Sequence, residues 1–129
     1  MVIIASRPEY QLMVEPARNR IFYQNFGAMQ TATALPHYLA DWQAALAEMR
    51  PGFDVLSDIQ IVNQANPALL HEFHASERLI AAHGVRMLAD VHVPGRPTRR
   101  SADDVLTDGA IPVRRFLSIW EAAQFLDYL

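Results

Sequence analysis

Cysteine and lysine do not occur in this chain, so its chemistry falls to aspartate, glutamate, histidine, serine and arginine. Their absence removes disulfides, thiolate nucleophiles and thiolate metal sites. It also removes the phosphate-loop lysine, the Schiff base and the Ser–Lys dyad. Asp90 and His92 alternate along one predicted strand and so share a face, where a carboxylate could orient an imidazole as a general base. No serine stands in a Gly-x-Ser-x-Gly context to be activated. A structural pairing of Asp90 with Arg86, four residues back and so of the same strand parity, is therefore the expectation. His71 and His74 stand three apart on a predicted helix and share a face. The zincin spacing is four, and no third ligand is indicated, so a polar helix face shared with Arg78 is expected instead. Asp54 and Asp58 lie either side of Ser57 on a predicted strand, a setting for hydrogen-bonded structural acids. Arg96, Arg99 and Arg100 make the basic cluster, in a loop with Pro94, Gly95 and Pro97 that attracts anions or simply stays solvated.

The elements that must position these residues follow from periodicity and turn signals. Tyr10 to Val14 and Arg20 to Phe26 read as strands joined by a turn-rich link, an antiparallel hairpin. Ile21, Tyr23 and Asn25 fall on one face of the second strand, Phe22 and Phe26 on the other. Leu35, Leu39, Trp42, Leu46 and Met49 recur at helical spacing, with Thr33 as N-cap and Pro51-Gly52 as the stop. Phe53 to Val62 is almost continuously apolar, as a strand covered on both faces must be. Asn66-Pro67 opens a second helix that carries Leu69, Leu70, Phe73, Glu77 and Ile80 and stops at Gly84. Val85 to Val93 reads as a strand, Ser101 to Leu106 as a short helix and Val113 to Leu117 as a fifth strand. Ser118 to Glu121 is a capping box opening a last helix through Leu129. The fold class is therefore α/β: a five-stranded mixed sheet in the order β-β-α-β-α-β-α-β-α, parallel apart from its first hairpin.

Composition sets the outer limits. A chain of 129 residues, 51% apolar and 19% charged, fits a single domain over residues 1–129 with its own core. No apolar run approaches the roughly 20 residues needed for a membrane span, and no signal-peptide pattern opens the chain, so the cytoplasm is expected. A net charge of −3 gives no reason to expect nucleic acid as a partner. The all-arginine basic set is a mark of a GC-rich genome as much as of function.

The element order, the stretch Gly52-Phe53-Asp54-Val55-Leu56-Ser57-Asp58 and the final Phe116-Leu117-Ser118 leading into Trp120-Glu121-Ala122-Ala123 resemble a STAS-type domain. That is the fold of bacterial anti-sigma-factor antagonists. The resemblance is closer to an uncharacterised STAS-like branch grouped with CRAL-TRIO lipid-carrier folds, and it covers Tyr10 to Leu129. It implies an acid near the end of the central strand, at Asp58, and a phosphorylated serine at the start of the next helix. The matching stretch, Asn63-Gln64-Ala65-Asn66-Pro67-Ala68, carries no hydroxyl, so the scaffold is expected without that switch.

Ligands of open sheets bind beyond the carboxyl ends of parallel strands. Those ends hold Asn63, Gln64 and Asn66, then His92 and Arg96, then Ser118. Asn66 and Ser118 also stand at helix N-termini, where capping alone explains their residue types. With Asp58, Arg99 and Arg100 they form the candidate binding set. Trp42, Trp120, Phe73, Phe116 and Phe125 are expected in the core, and a docked helix or a subunit contact is expected over Tyr128 and Leu129. The expected function is a non-enzymatic module without cofactor or metal, acting on a protein partner or on a second copy of itself as a homodimer. The alternative is a carrier of a small apolar or lipid ligand in a cavity between helices and sheet. A small enzyme built on Asp90 and His92, or on a metal at His71 and His74, stands last.

Overall fold

The computed structural model describes residues 1–59, 66–91 and 111–129. Alternation makes the first long hairpin. In β2 (Tyr10–Glu15) the residues Tyr10, Leu12 and Val14 are buried, while Gln11, Met13 and Glu15 are half-buried on the other face. β2 pairs antiparallel with β3 (Arg20–Asn25), and Tyr10 stands opposite Asn25. The turn between them is a single 3-10 turn closed by Asn19 at φ 56, a left-handed conformation that asparagine tolerates. The Asn19 side chain also donates to the Arg50 carbonyl at 3.0 Å and accepts from the Arg50 N–H at 2.8 Å, which ties the hairpin to the chain after the first helix.

β4 (Asp54–Ile59) is buried along its whole length and pairs parallel with β3 on one side and β5 (Met87–Val91) on the other. The central, doubly covered strand expected from its apolar run is found. β6 (Val113–Phe116) pairs parallel with β5 and ends the sheet. Among the described residues the sheet has six strands rather than five. The addition is β1 (Val2–Ser6), antiparallel to β2, with a register shift between Ile3 and Ala5. Its sequence shows no alternation to announce it, and both Val2 and Ile3 are exposed. The spatial order β1-β2-β3-β4-β5-β6 follows the chain order. The expected helix over Ser101 to Leu106 lies outside the described residues.

α1 (Tyr38–Ala47) and α2 (Pro67–Ala82) pack together on one face of the sheet, and α3 (Ile119–Asp127) lies on the other against β4, β5 and β6. α1 buries Tyr38, Asp41, Trp42, Ala45 and Leu46, the spacing of a single helical stripe. It begins at Tyr38, not at the expected Thr33 cap, because Pro36 precedes it; its N-cap position is His37, which makes no side-chain capping bond. Leu35 is buried ahead of the helix rather than within it. α2 buries Leu69, Phe73, Ser76, Glu77 and Ile80, and α3 buries Ala122 and Leu126. Gly52 and Gly84 both adopt φ +89, and the Gly52 N–H donates to the Gly84 carbonyl at 2.7 Å. Those two turns close the amino-terminal end of β4 and β5.

An ion network anchors α3 at that same end. The buried Arg20 guanidinium sits 2.7 Å from the buried Asp54 carboxylate, and Arg86 reaches Asp54 at 3.1 Å. Arg18 and Arg20 both hold Asp127 on the last turn of α3, at 2.6 and 3.0 Å. Arg86 also donates to the Leu126 and Leu129 carbonyls. The expected pairing of Arg86 with Asp90 is therefore corrected. β5 starts at Met87, so strand alternation does not extend back to Arg86, which turns toward α3 instead.

Candidate functional site

Of the residues singled out beyond the strand ends, Asn63, Gln64, His92, Arg96, Arg99 and Arg100 lie outside the described residues. Asp58, Asn66 and Ser118 are described, and the fold does not gather them. Asp58 is buried on the α3 side of β4 and accepts from Gln24 Nε2 at 3.2 Å. Asn66 opens α2 on the opposite face, where its side chain accepts from the Ala68 N–H at 3.0 Å. Ser118 opens α3, accepting from the Glu121 N–H at 3.1 Å. Both of the latter are occupied as helix caps, the use their residue types favour. His71 and His74 are exposed on α2, and His74 Nδ1 lies 3.8 Å from Glu77 Oε2. Among the described residues no cluster of three histidines or carboxylates is placed to hold a metal.

The face beneath α1 and α2 divides by height along the strands. Its amino-terminal half is apolar: Val14, Ile21, Val55, Leu88, Ala45, Leu46, Phe53 and Ile80. Its carboxyl-terminal half is polar and aromatic. The register sets Tyr23 beside Ser57, Ser57 beside Asp90, and Asp90 beside Arg115, a row across four strands. Tyr23, Ser57 and Asp90 are buried, and Arg115 Nε approaches Asp90 Oδ2 at 4.0 Å from the sheet edge. Asp90 thus finds its arginine on the neighbouring strand. Over this half lies Trp42 of α1, its ring centre 5.5 Å from that of Tyr23, and its Nε1 has no acceptor among the described residues; Ser76 and Glu77 of α2 are also buried.

Asp41 closes the same end against β2. Arg7 grips both of its oxygens at 3.0 Å, and the buried Tyr10 hydroxyl donates to one of them. Burial alone would push the Asp41 carboxyl up, but hydrogen bonds from Arg7 and Tyr10, with the charge of Arg7, outweigh it and hold it below the ordinary carboxylate value. Burial, then the bond to Asp41, pushes the Tyr10 hydroxyl well above its ordinary value. Tyr10, Tyr23, Tyr38, Trp42 and Phe73 form a chain of ring contacts, Tyr10 to Tyr38 at 5.1 Å and Tyr38 to Phe73 at 5.5 Å. Trp42 and Phe73 are core, as expected. Glu77 had a signal in the sequence, since a carboxylate stood on the apolar stripe of a predicted helix; Ser76 and Asp41 had none.

A second feature lies at the corner where β6 turns into α3. Leu117, Ile119 and Trp120 are 62%, 44% and 68% exposed and consecutive but for the Ser118 cap. The expected core place of Trp120 is corrected by helix geometry. α3 buries Ala122 and Leu126, so Trp120, Gln124 and Tyr128, at steps of four, fall on its outer face. Tyr128 and Leu129 are exposed too, at 87% and 48%. On β6 the neighbouring Arg114 and Arg115 are exposed. Arg114 rests its guanidinium 5.0 Å above the Phe125 ring. A shallow groove of about 350 Å³ runs between α1 and α2, lined by Gln43, Leu46, Ala47, Leu79, Ala82 and His83.

Among the described residues no helix is long and apolar enough to cross a membrane. No family model, no curated protein and no solved structure matches this chain.

Proposed function

We propose that this chain is a non-enzymatic binding or regulatory module of STAS-like type, one domain over residues 1–129, that acts by contact with a protein partner or a second copy. The contact surface is the corner of Leu117, Ile119 and Trp120. One observation carries the reading: a tryptophan 68% exposed beside two exposed aliphatic side chains, on either side of the Ser118 cap that opens α3. Exposed aromatic and aliphatic groups gathered in one place are a common mark of an interaction site. The reading carries a cytoplasmic setting and needs no cofactor.

The test is capture from the native extract on wild-type and Trp120→Ala protein in parallel. A species retained by the wild type and lost from the variant supports the proposal. Identical retention on both contradicts it. The second reading, a carrier of a small apolar ligand, draws support from the α1–α2 groove. It ranks second because the exposed Gln43, Ala47 and Ala82 leave that groove open, where a carrier must enclose its ligand.

A further inference from the structure

We infer that the outer edge of β6 takes an acidic, extended segment of another protein as an added strand. This rests on the reading of the adjacent corner as a protein-binding surface, and it names the partner's chemistry. β6 is the last strand of the sheet, and the described residues place no strand outside it. A strand edge offers a row of backbone donors and acceptors that a peptide can pair with. What distinguishes this edge is charge. Arg114 and Arg115 are consecutive, so they project to opposite faces of the sheet and put a positive charge on each side of the edge at one level. Both side chains are already steered, Arg114 by the Phe125 ring and Arg115 by Asp90 at 4.0 Å. Such preordering lowers the entropy cost of pairing them with a ligand.

A segment with two adjacent acidic residues would meet both arginines, since its own side chains alternate in the same way. An apolar residue at its end would reach Leu117 and Trp120, which lie just past the strand. A second copy is the poorer occupant. Pairing β6 with itself brings arginine against arginine, and like charges across a pair destabilise it. The opposite edge, β1, carries no charged side chain along Val2–Ser6 and gives no preference for an acidic partner.

The probe is a library of random peptides of about ten residues, long enough to form a strand, selected on the purified full chain. Enriched peptides should carry adjacent acidic residues next to apolar ones. Their binding should weaken about tenfold or more on Arg114→Glu or Arg115→Gln, and should weaken as salt rises from about 0.05 to about 0.5 M. Arg115 also neighbours the buried Asp90; if its variant unfolds, Arg114→Glu, at a side chain resting on a ring, carries the test. Enriched peptides without acidic residues, peptides indifferent to both arginine variants, or no enrichment at all would overturn the inference. Peptides that lack acids yet lose binding on Trp120→Ala would overturn it while leaving the corner as the interaction surface.

Discussion

Asp41 shows how much a single carboxylate can hold together. It joins α1 to β2 through Tyr10 and to the β1–β2 connection through Arg7, with His37 adding a smaller attraction. Its folded pKa is depressed, so its contribution to stability is present above the unfolded value near 3.9 and is lost as pH falls through the lower folded value. Tyr10 is the reverse case. Its raised folded pKa means a contribution present below about pH 10 and lost as pH rises past that value. Tyr10→Phe should cost about 1.5–3 kcal/mol near neutrality, since it removes a buried hydrogen bond to a charged group. It should also flatten the alkaline decline. Urea midpoints across pH for both proteins check this, and parallel curves for the two would refute it. Arg20 offers a second test. Arg20→Met leaves the buried Asp54 with Arg86 alone and should cost about 3 kcal/mol, while adding Asp54→Leu should recover most of that loss in the same denaturation assay. At this scale the sequence was a fair guide to caps and a poor one to buried charge. Asn66 and Ser118 cap as their types require. Arg20, Asp41 and Asp54 are buried through partners about thirty residues away, which no local pattern encodes.

The elements were legible where their signals were local. β4 announced itself by an unbroken apolar run, α2 by Asn66-Pro67, and α3 by Ser118 and Glu121 three residues on. β1 was not legible. Its five residues are all uncharged, four of them apolar, with no alternation, and it becomes a strand because β2 offers an edge to pair with. The start of α1 was misplaced because Leu35 lies in register with the helical stripe yet packs from an irregular turn ahead of Pro36. Turn glycines give the sharpest element-level prediction. Gly52 and Gly84 share φ +89, but a Cβ at Gly84 would stand 3.2 Å from Pro51 Cβ, while at Gly52 it meets nothing within 4 Å. Gly52→Ala should cost about 1 kcal/mol from backbone strain alone. Gly84→Ala should cost more, because Pro51 must also shift. Equal losses in chemical denaturation would show that the contact with Pro51 is relieved without cost.

The whole molecule is unevenly finished. Among the described residues one face of the sheet carries α1 and α2, the other carries α3 over β4 to β6, and the carboxyl-terminal half of the first face is built of tyrosine, serine and carboxylate. The sequence pointed to the carboxyl ends of the strands as the place for ligands. Of the residues it named there, the described ones serve as caps or as a buried acid. The exposed corner was missed because Trp120 reads as core in any pattern that counts aromatics. Its position on the outer face of α3 depends on which stripe of that short helix meets the sheet. Since Trp120 is 68% exposed, Trp120→Ala should change stability by no more than about 0.5 kcal/mol, and its effect on partner capture then reports binding rather than folding. The most direct measurement is amide hydrogen exchange of the full chain, free and bound to an acidic peptide selected on it. Protection on binding should concentrate in residues 113–121, along β6 and the first turn of α3. Protection over α1 and α2, with 113–121 unchanged, would contradict the account.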